Sequence, residues 1–167
     1  MWNRTPDKAR VLAAEGADLA ETPADAVREA AFVITMLTDA VAVLAVMGQA
    51  AESVPRGAVW LRTSMDTDVE RVAGLAKDHG ITFVNCPVIG NRKTAKRGRL
   101  VVLASGPGDA LDRAQPVFDA IGSKTGGRPG DPHVARGERL DCGDCGEPPR
   151  PDKPHSALGV LAQSACR

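Results

Sequence analysis

Phe32-Val33-Ile34-Thr35-Met36-Leu37 is a nearly continuous apolar run with no period-two alternation. Such a run suits a strand covered on both faces, which is the usual situation in a parallel sheet. Just before it stands Thr22-Pro23-Ala24-Asp25, a capping Thr followed by Pro at the first helical position and an acid in the first turn. That chemistry starts a helix running to about Ala30. After the run, Asp39 to about Glu52 is rich in Ala, Val, Leu and Met and reads as a second helix. Farther on, Pro55-Arg56-Gly57 is a turn and Ala58-Val59-Trp60-Leu61 a strand. Asp66 to His79 has helical spacing at Val69, Val72, Leu75 and Ala76, and Gly80 ends it. Ile81-Thr82-Phe83-Val84 and Leu100 to Ala104 are two more strands, and Pro107 to Ile121 is an amphipathic helix with Leu111, Ala114, Val117 and Phe118 on one side. Towards the N-terminus, Thr5-Pro6-Asp7-Lys8 opens a helix that closes at Gly16, with Ala17 to Ala20 as a very short strand. Strands alternating with helices across short turns predict a parallel sheet with helices on both faces.

Composition divides the chain. It has 167 residues, room for one domain or one domain and a tail. Hydrophobic residues at 43% and charged residues at 25% are ordinary for a packed protein. Lys plus Arg and Asp plus Glu both number 21, so there is no net field to attract a nucleic-acid backbone or an anionic membrane. The longest apolar stretch, near Val41 to Met47, falls far short of the ~20 residues of a membrane span, and no signal peptide opens the chain. A cytoplasmic location is the expectation. No aromatic residue follows Phe118, and residues 125–167 hold 7 Gly and 6 Pro, a disorder composition. We therefore expect a packed α/β unit over 1–124 and an irregular tail over 125–167. In that tail, Cys142 and Cys145 have CxxC spacing. A structural zinc site needs four ligands, and His133, His155 and Cys166 lack the spacing to complete one, so no metal site is expected.

In an open parallel sheet, ligands gather at the carboxyl ends of the strands. The candidates there are Asn3-Arg4-Thr5, Met36-Leu37-Thr38, Arg62-Thr63-Ser64 and Asn85-Cys86-Pro87. Arg4 and Thr5 suit a ribose 2′-phosphate, where an acid would hold a free 2′-hydroxyl. Asn85-Cys86-Pro87-Val88-Ile89-Gly90 is an irregular loop suited to gripping a small substrate. Arg92, Lys93, Lys96, Arg97 and Arg99 follow it closely. They are either an anion-binding cluster or, more simply, a solvated loop.

These pieces stand in the order found in the β-hydroxyacid dehydrogenase family, and the first 124 residues resemble 3-hydroxyisobutyrate dehydrogenases and the related imine reductases. Trp2-Asn3-Arg4-Thr5-Pro6-Asp7-Lys8-Ala9 is similar to the segment after the family's second strand. Val33-Ile34-Thr35-Met36-Leu37 resembles its Met-Leu-Pro cofactor loop. Asn85-Cys86-Pro87-Val88 with Ala95, Gly98 and Leu100 resembles its substrate-loop signature. The resemblance implies a partial Rossmann-type parallel sheet with flanking helices. It also implies hydride transfer between NADP (or NAD) and a small hydroxyacid or imine-like substrate, and a homodimer for the intact family. Carried over by position, Asn3, Arg4, Thr5, Met36, Leu37 and Thr38 meet the cofactor, and Ser64, Pro87, Val88 and Gly90 meet the substrate. Thr38 stands where the family has Pro, Met65 where it has Thr, and Ile89 and Asn91 where it has Ser and Gly.

The same resemblance places a first strand and glycine loop ahead of Trp2, which this sequence does not contain, and a proton-shuttling Lys following Gly-rich sequence after Gly122, a context in which no Lys here, Lys153 included, stands. Weak cofactor binding, an inactive fragment and an unpaired sheet edge are the matching expectations. An interaction module using that edge is the alternative. Translating residues 138–146 one base downstream permits an apolar helix of the type Asn-x-Trp-Ile-Val-Ala, so a frameshifted tail is a further expectation.

Overall fold

The computed structural model describes residues 1–65, 68–130 and 158–162. Helix α1 spans Pro6–Ala13 and α2 Pro23–Val27, each with Pro in its first turn behind a Thr. Thr22 accepts the Asp25 N–H, whereas Thr5 makes no side-chain cap. Strand β1 is Phe32–Met36, and α3 is Ala40–Ala50, capped where Asp39 accepts from the Ala42 N–H. Then follow β2 Val59–Arg62, α4 Val69–Asp78, β3 Thr82–Asn85, β4 Val88–Ile89 and α5 Arg92–Lys96. β5 Leu100–Gly106, α6 Gly108–Ile121, β6 Gly122–Pro129 and β7 Leu158–Ala162 complete the order.

The parallel centre is as expected. β1 pairs in parallel with β2, and β2 with β3, so that Val33, Trp60 and Phe83 form one row across three strands. Alternate residues point to opposite faces. Val33, Trp60 and Phe83 join the core beneath α2, α3 and α4, with Val27, Val43, Met47 and Val72. Ile34, Leu61 and Val84 join a second core with Val102, Ala110, Ala114 and Phe118 on the side of α6. Both faces are thus covered, which is why Phe32–Leu37 is apolar without alternation.

Three expectations are corrected. The sheet is mixed rather than wholly parallel, because β5 runs antiparallel to β3 and to β4. Asn85 faces Ser105 and Val88 faces Val102, the same antiparallel offset, so β3 and β4 lie on one line broken at Cys86-Pro87. The physical reason is the connection. A parallel return needs a crossover of a dozen or more residues, usually a helix packed on the sheet. Here the five residues of α5 only turn the chain, and β5 comes straight back.

Order also continues past Lys124, since β6 pairs in parallel with β5 as far as Pro129. Finally, β1 does not end the sheet. β7, from the Gly/Pro-rich stretch, pairs with it in parallel from Phe32↔Leu158 to Met36↔Ala162. The edge read from sequence as unpaired therefore carries a strand. Cys142, Cys145, Cys166, Lys153 and the 138–146 segment lie outside the described residues. No described helix is long and apolar enough to cross a membrane.

Trp60 is fully buried, meets Phe83 edge-on at a centroid distance of 5.3 Å, and donates its indole N–H to Thr35 Oγ1 at 3.0 Å. Trp60→Ala removes both contacts and leaves a cavity where the ring was buried, and is expected to cost about 3–5 kcal/mol of unfolding free energy. Urea denaturation followed by circular dichroism checks this; a cost below ~1 kcal/mol would mean the row is not the centre of the core.

Candidate cofactor and substrate site

The carboxyl ends of β1, β2 and β3 deliver Leu37, Thr63-Ser64 and Asn85-Cys86 to one edge of the sheet. Polar side chains stitch these ends together. Thr63 Oγ1 donates to the Thr35 carbonyl at 2.9 Å and lies 3.2 Å from Met36 Sδ. Ser64 Oγ donates to the Leu37 carbonyl at 2.8 Å. The Thr63 N–H also donates to the Thr35 carbonyl at 3.0 Å. The loop after β1 is therefore held to the loop after β2 by hydrogen bonds in an almost dry setting, where an unmade bond is costly.

Ser64 was read as a residue facing substrate. In the structure it is buried and its proton is committed to Leu37. Leu37 is buried too, while Thr38 and Met36 are exposed at the edge. Met36, Val41 and Met65 are exposed apolar side chains around it, Met65 at 68%. Pro87 is buried, Val88 half-buried and Gly90 exposed. At Gly90 φ is +148°, and a Cβ there would sit 2.7 Å from Leu100 Cδ2, so this position has a conformational reason to be glycine.

The N-terminal candidates lie differently from expectation. Trp2 makes only an isolated β-bridge rather than a strand, and Asn3-Arg4-Thr5 precedes α1 directly. Asn3 is buried, and its Oδ1 accepts the Thr5 N–H at 2.9 Å, so Asn3 shapes the turn. Arg4 and Thr5 stand exposed beyond it. Trp2 packs against the core under α3 and α4.

Sequence reasoning placed Arg62 and Asn85 at neighbouring strand ends without reading them as a buried pair. Arg62 is fully buried at the end of β2, and its Nη1 donates to Asn85 Oδ1 at the end of β3, 2.9 Å away. Beside them, burial pushes the Cys86 thiol up from its ordinary range, with the Arg62 cation opposing the shift. Cys86 is thus a protonated, inert wall of the site rather than a nucleophile. The available signal was a charged residue closing an otherwise apolar strand, Val59-Trp60-Leu61-Arg62. A cavity of about 310 Å³ lies elsewhere, between α6 and β6, lined by Leu111, Gln115, Phe118 and Lys124 among others, and none of the residues proposed for cofactor or substrate borders it.

At the carboxyl edge, exposed thioether and aliphatic groups offer a shelf for flat rings, carbonyls are fixed in place, and the α3 N-terminus is filled by Asp39 rather than open to an anion.

An open sheet with this crossover pattern and a polar-stitched carboxyl edge defines a nucleotide-binding α/β domain. Residues 1–130 match the family described as the NAD binding domain of 6-phosphogluconate dehydrogenase, and the chain belongs to that family. Glyoxylate/succinic semialdehyde reductase 1 of Arabidopsis thaliana is 32% identical over 133 residues, which is 75% of this chain and 45% of the reductase. Among solved structures, Mycobacterium tuberculosis 3-hydroxyisobutyrate dehydrogenase with L-serine superposes with a TM-score of 0.76 at 26% identity, over 80% of this chain and 47% of that one. The Streptomyces aurantiacus imine reductase gives 0.71 at 32% identity, over 80% and 48%. The chain spans a little under half the length of each of these relatives.

Ser64→Ala would leave the buried Leu37 carbonyl without its side-chain donor. The expected cost is about 1–2 kcal/mol, read as a lower urea midpoint at unchanged slope. An unmoved midpoint would show that the stitch contributes nothing.

Proposed function

We propose that this chain is the nicotinamide-dinucleotide-binding unit of an oxidoreductase acting on a small hydroxyacid or imine-like substrate. The dinucleotide lies along the carboxyl edge, over Met36, Leu37 and Thr38. Arg4 and Thr5, with Asn3 shaping their turn, take the 2′-phosphate of NADP, and the reacting molecule rests against Pro87, Val88 and Gly90. The observation that carries this reading is the Ser64–Leu37 hydrogen bond. It fixes the loop proposed to hold cofactor to the end of the neighbouring strand β2, so that the nicotinamide would lie on a fixed base one strand away from the loop proposed to hold substrate.

When bound, the nicotinamide supplies or accepts the hydride. The chain's own contributions are positional. Thr63 and Ser64 hold the β1 loop at a set height. The exposed Met36 and Met65 cover ring faces and exclude water from them. The Arg62–Asn85 pair keeps the floor rigid. Arg4 is an exposed cation on a turn that Asn3 braces, placed to meet a dianionic phosphate by charge-assisted hydrogen bonds.

Quenching of Trp2 and Trp60 fluorescence during titration tests the reading. NADPH is expected to bind saturably and more tightly than NADH. Arg4→Ala is expected to weaken NADPH about tenfold while leaving NADH unchanged. Saturation by neither cofactor would overturn the reading, and an Arg4→Ala variant with full NADPH preference would remove Arg4 from it.

A further inference from the structure

The line of β3 and β4, the turn through α5 and the return of β5 together build an antiparallel arm. Ser105 is level with Asn85 at the sheet's carboxyl edge, and Leu100 lies five residues farther along the arm, about 16 Å beyond that edge. Five cations crowd its tip: Arg92, Lys93, Lys96, Arg97 and Arg99. No acid occurs anywhere in residues 79–108, whereas the rest of the chain carries five more acids than Lys plus Arg. The ion pairs Arg10–Asp7, Arg28–Asp25 and Arg71–Asp68 lie outside the arm. Asp119 neighbours the Gly98 turn through α6, and its Oδ1 accepts from Gln115.

This tip is built against local rules. Arg92 and Lys96, and likewise Lys93 and Arg97, are one helical turn apart, where like charges repel. Arg92 opens α5, at the end where the helix dipole disfavours a cation, while Lys93 and Lys96 stand in its last turn. The helix forms because Asn91 Oδ1 accepts from the Lys93 and Thr94 N–H groups and the Thr94 hydroxyl, and because Gly98 at φ +61° stops it. With those backbone donors already used, the tip can meet an anion only through its side chains. Sites that break local rules in this way mark function more often than chance.

We propose that the arm tip is a subsite for a second anionic group, a phosphate or a carboxylate, on the substrate itself. The substrate class is then a small acid charged at both ends, one end over Pro87–Gly90 and the other at α5. This rests on reading Pro87, Val88 and Gly90 as the substrate loop. A small acid fits better than a nucleic acid. One short turn spans about 7.5 Å along its axis, enough for one or two phosphates. No aromatic residue lies between Phe83 and Phe118 to stack a base. The net negative remainder of the chain repels an extended polyanion.

The test is amide-resolved NMR of the full chain at constant ionic strength, titrated with inorganic phosphate and then with succinate against propionate. Saturable shifts confined to residues 87–99, with succinate about five- to tenfold tighter than propionate, are the expected result. Lys93→Gln with Lys96→Gln should abolish that preference without lowering the melting temperature, since it also relieves repulsion. Shifts that do not saturate, or a preference unchanged in the double variant, overturn the proposal. So does a short DNA duplex that binds the tip more tightly than phosphate with a steep salt dependence. No nicotinamide cofactor is present in these titrations. A failed NADPH titration therefore sinks the cofactor reading and leaves this result standing, and the reverse also holds.

Discussion

Trp60 ties the centre of the molecule together. Its ring sits in register between Val33 of β1 and Phe83 of β3, and its one polar atom reaches Thr35 back on β1. A single side chain thereby fixes the lateral order of three strands and the face each presents. A slip of one residue in any strand would turn that face over and bury the wrong set. The helices follow from this constraint. α3 and α4 must return the chain to the same end of the sheet, and each covers the Trp60 face as it does so.

Once the three strands are aligned, their carboxyl ends are aligned as well, and the site is a consequence. Thr63 and Ser64 stand where their hydroxyls reach the carbonyls of Thr35 and Leu37 because β2 is in register with β1. Arg62 meets Asn85 because β3 is in register with β2. The buried hydrogen bonds take the polar groups at the strand ends out of competition with water, leaving the Met36 and Met65 thioethers exposed at that edge.

The helices other than α5 and the first three strands were legible because their signals are local. Thr-Pro starts, a terminal Gly and apolar spacing each act within a few residues. The role of Ser64 was not legible, since a hydroxyl at a strand end can face either a ligand or a neighbouring carbonyl, and the choice depends on a residue 27 positions away. The direction of β5 was missed for a related reason. Its apolar run suits either orientation, and the shortness of α5 decides. β6 was missed because Gly122-Ser123-Lys124-Thr125-Gly126-Gly127 has little strand preference of its own and owes its form to the ladder along β5. In β7, the apolar run Leu158-Gly159-Val160-Leu161-Ala162 was hidden by the composition of the region around it.

By itself, the sequence determined the α/β class and the three buried parallel strands whose carboxyl ends share one edge. All of these follow from short-range chemistry: caps, breakers, and the rule that a strand apolar on both sides is covered on both sides. Only the tertiary structure decided the return of β5, the strand beside β1, the inward turn of Ser64 and the pairing of Arg62 with Asn85. Each of those depends on which distant backbone offers a free hydrogen-bonding partner at the right height, a condition that does not exist until the sheet has formed.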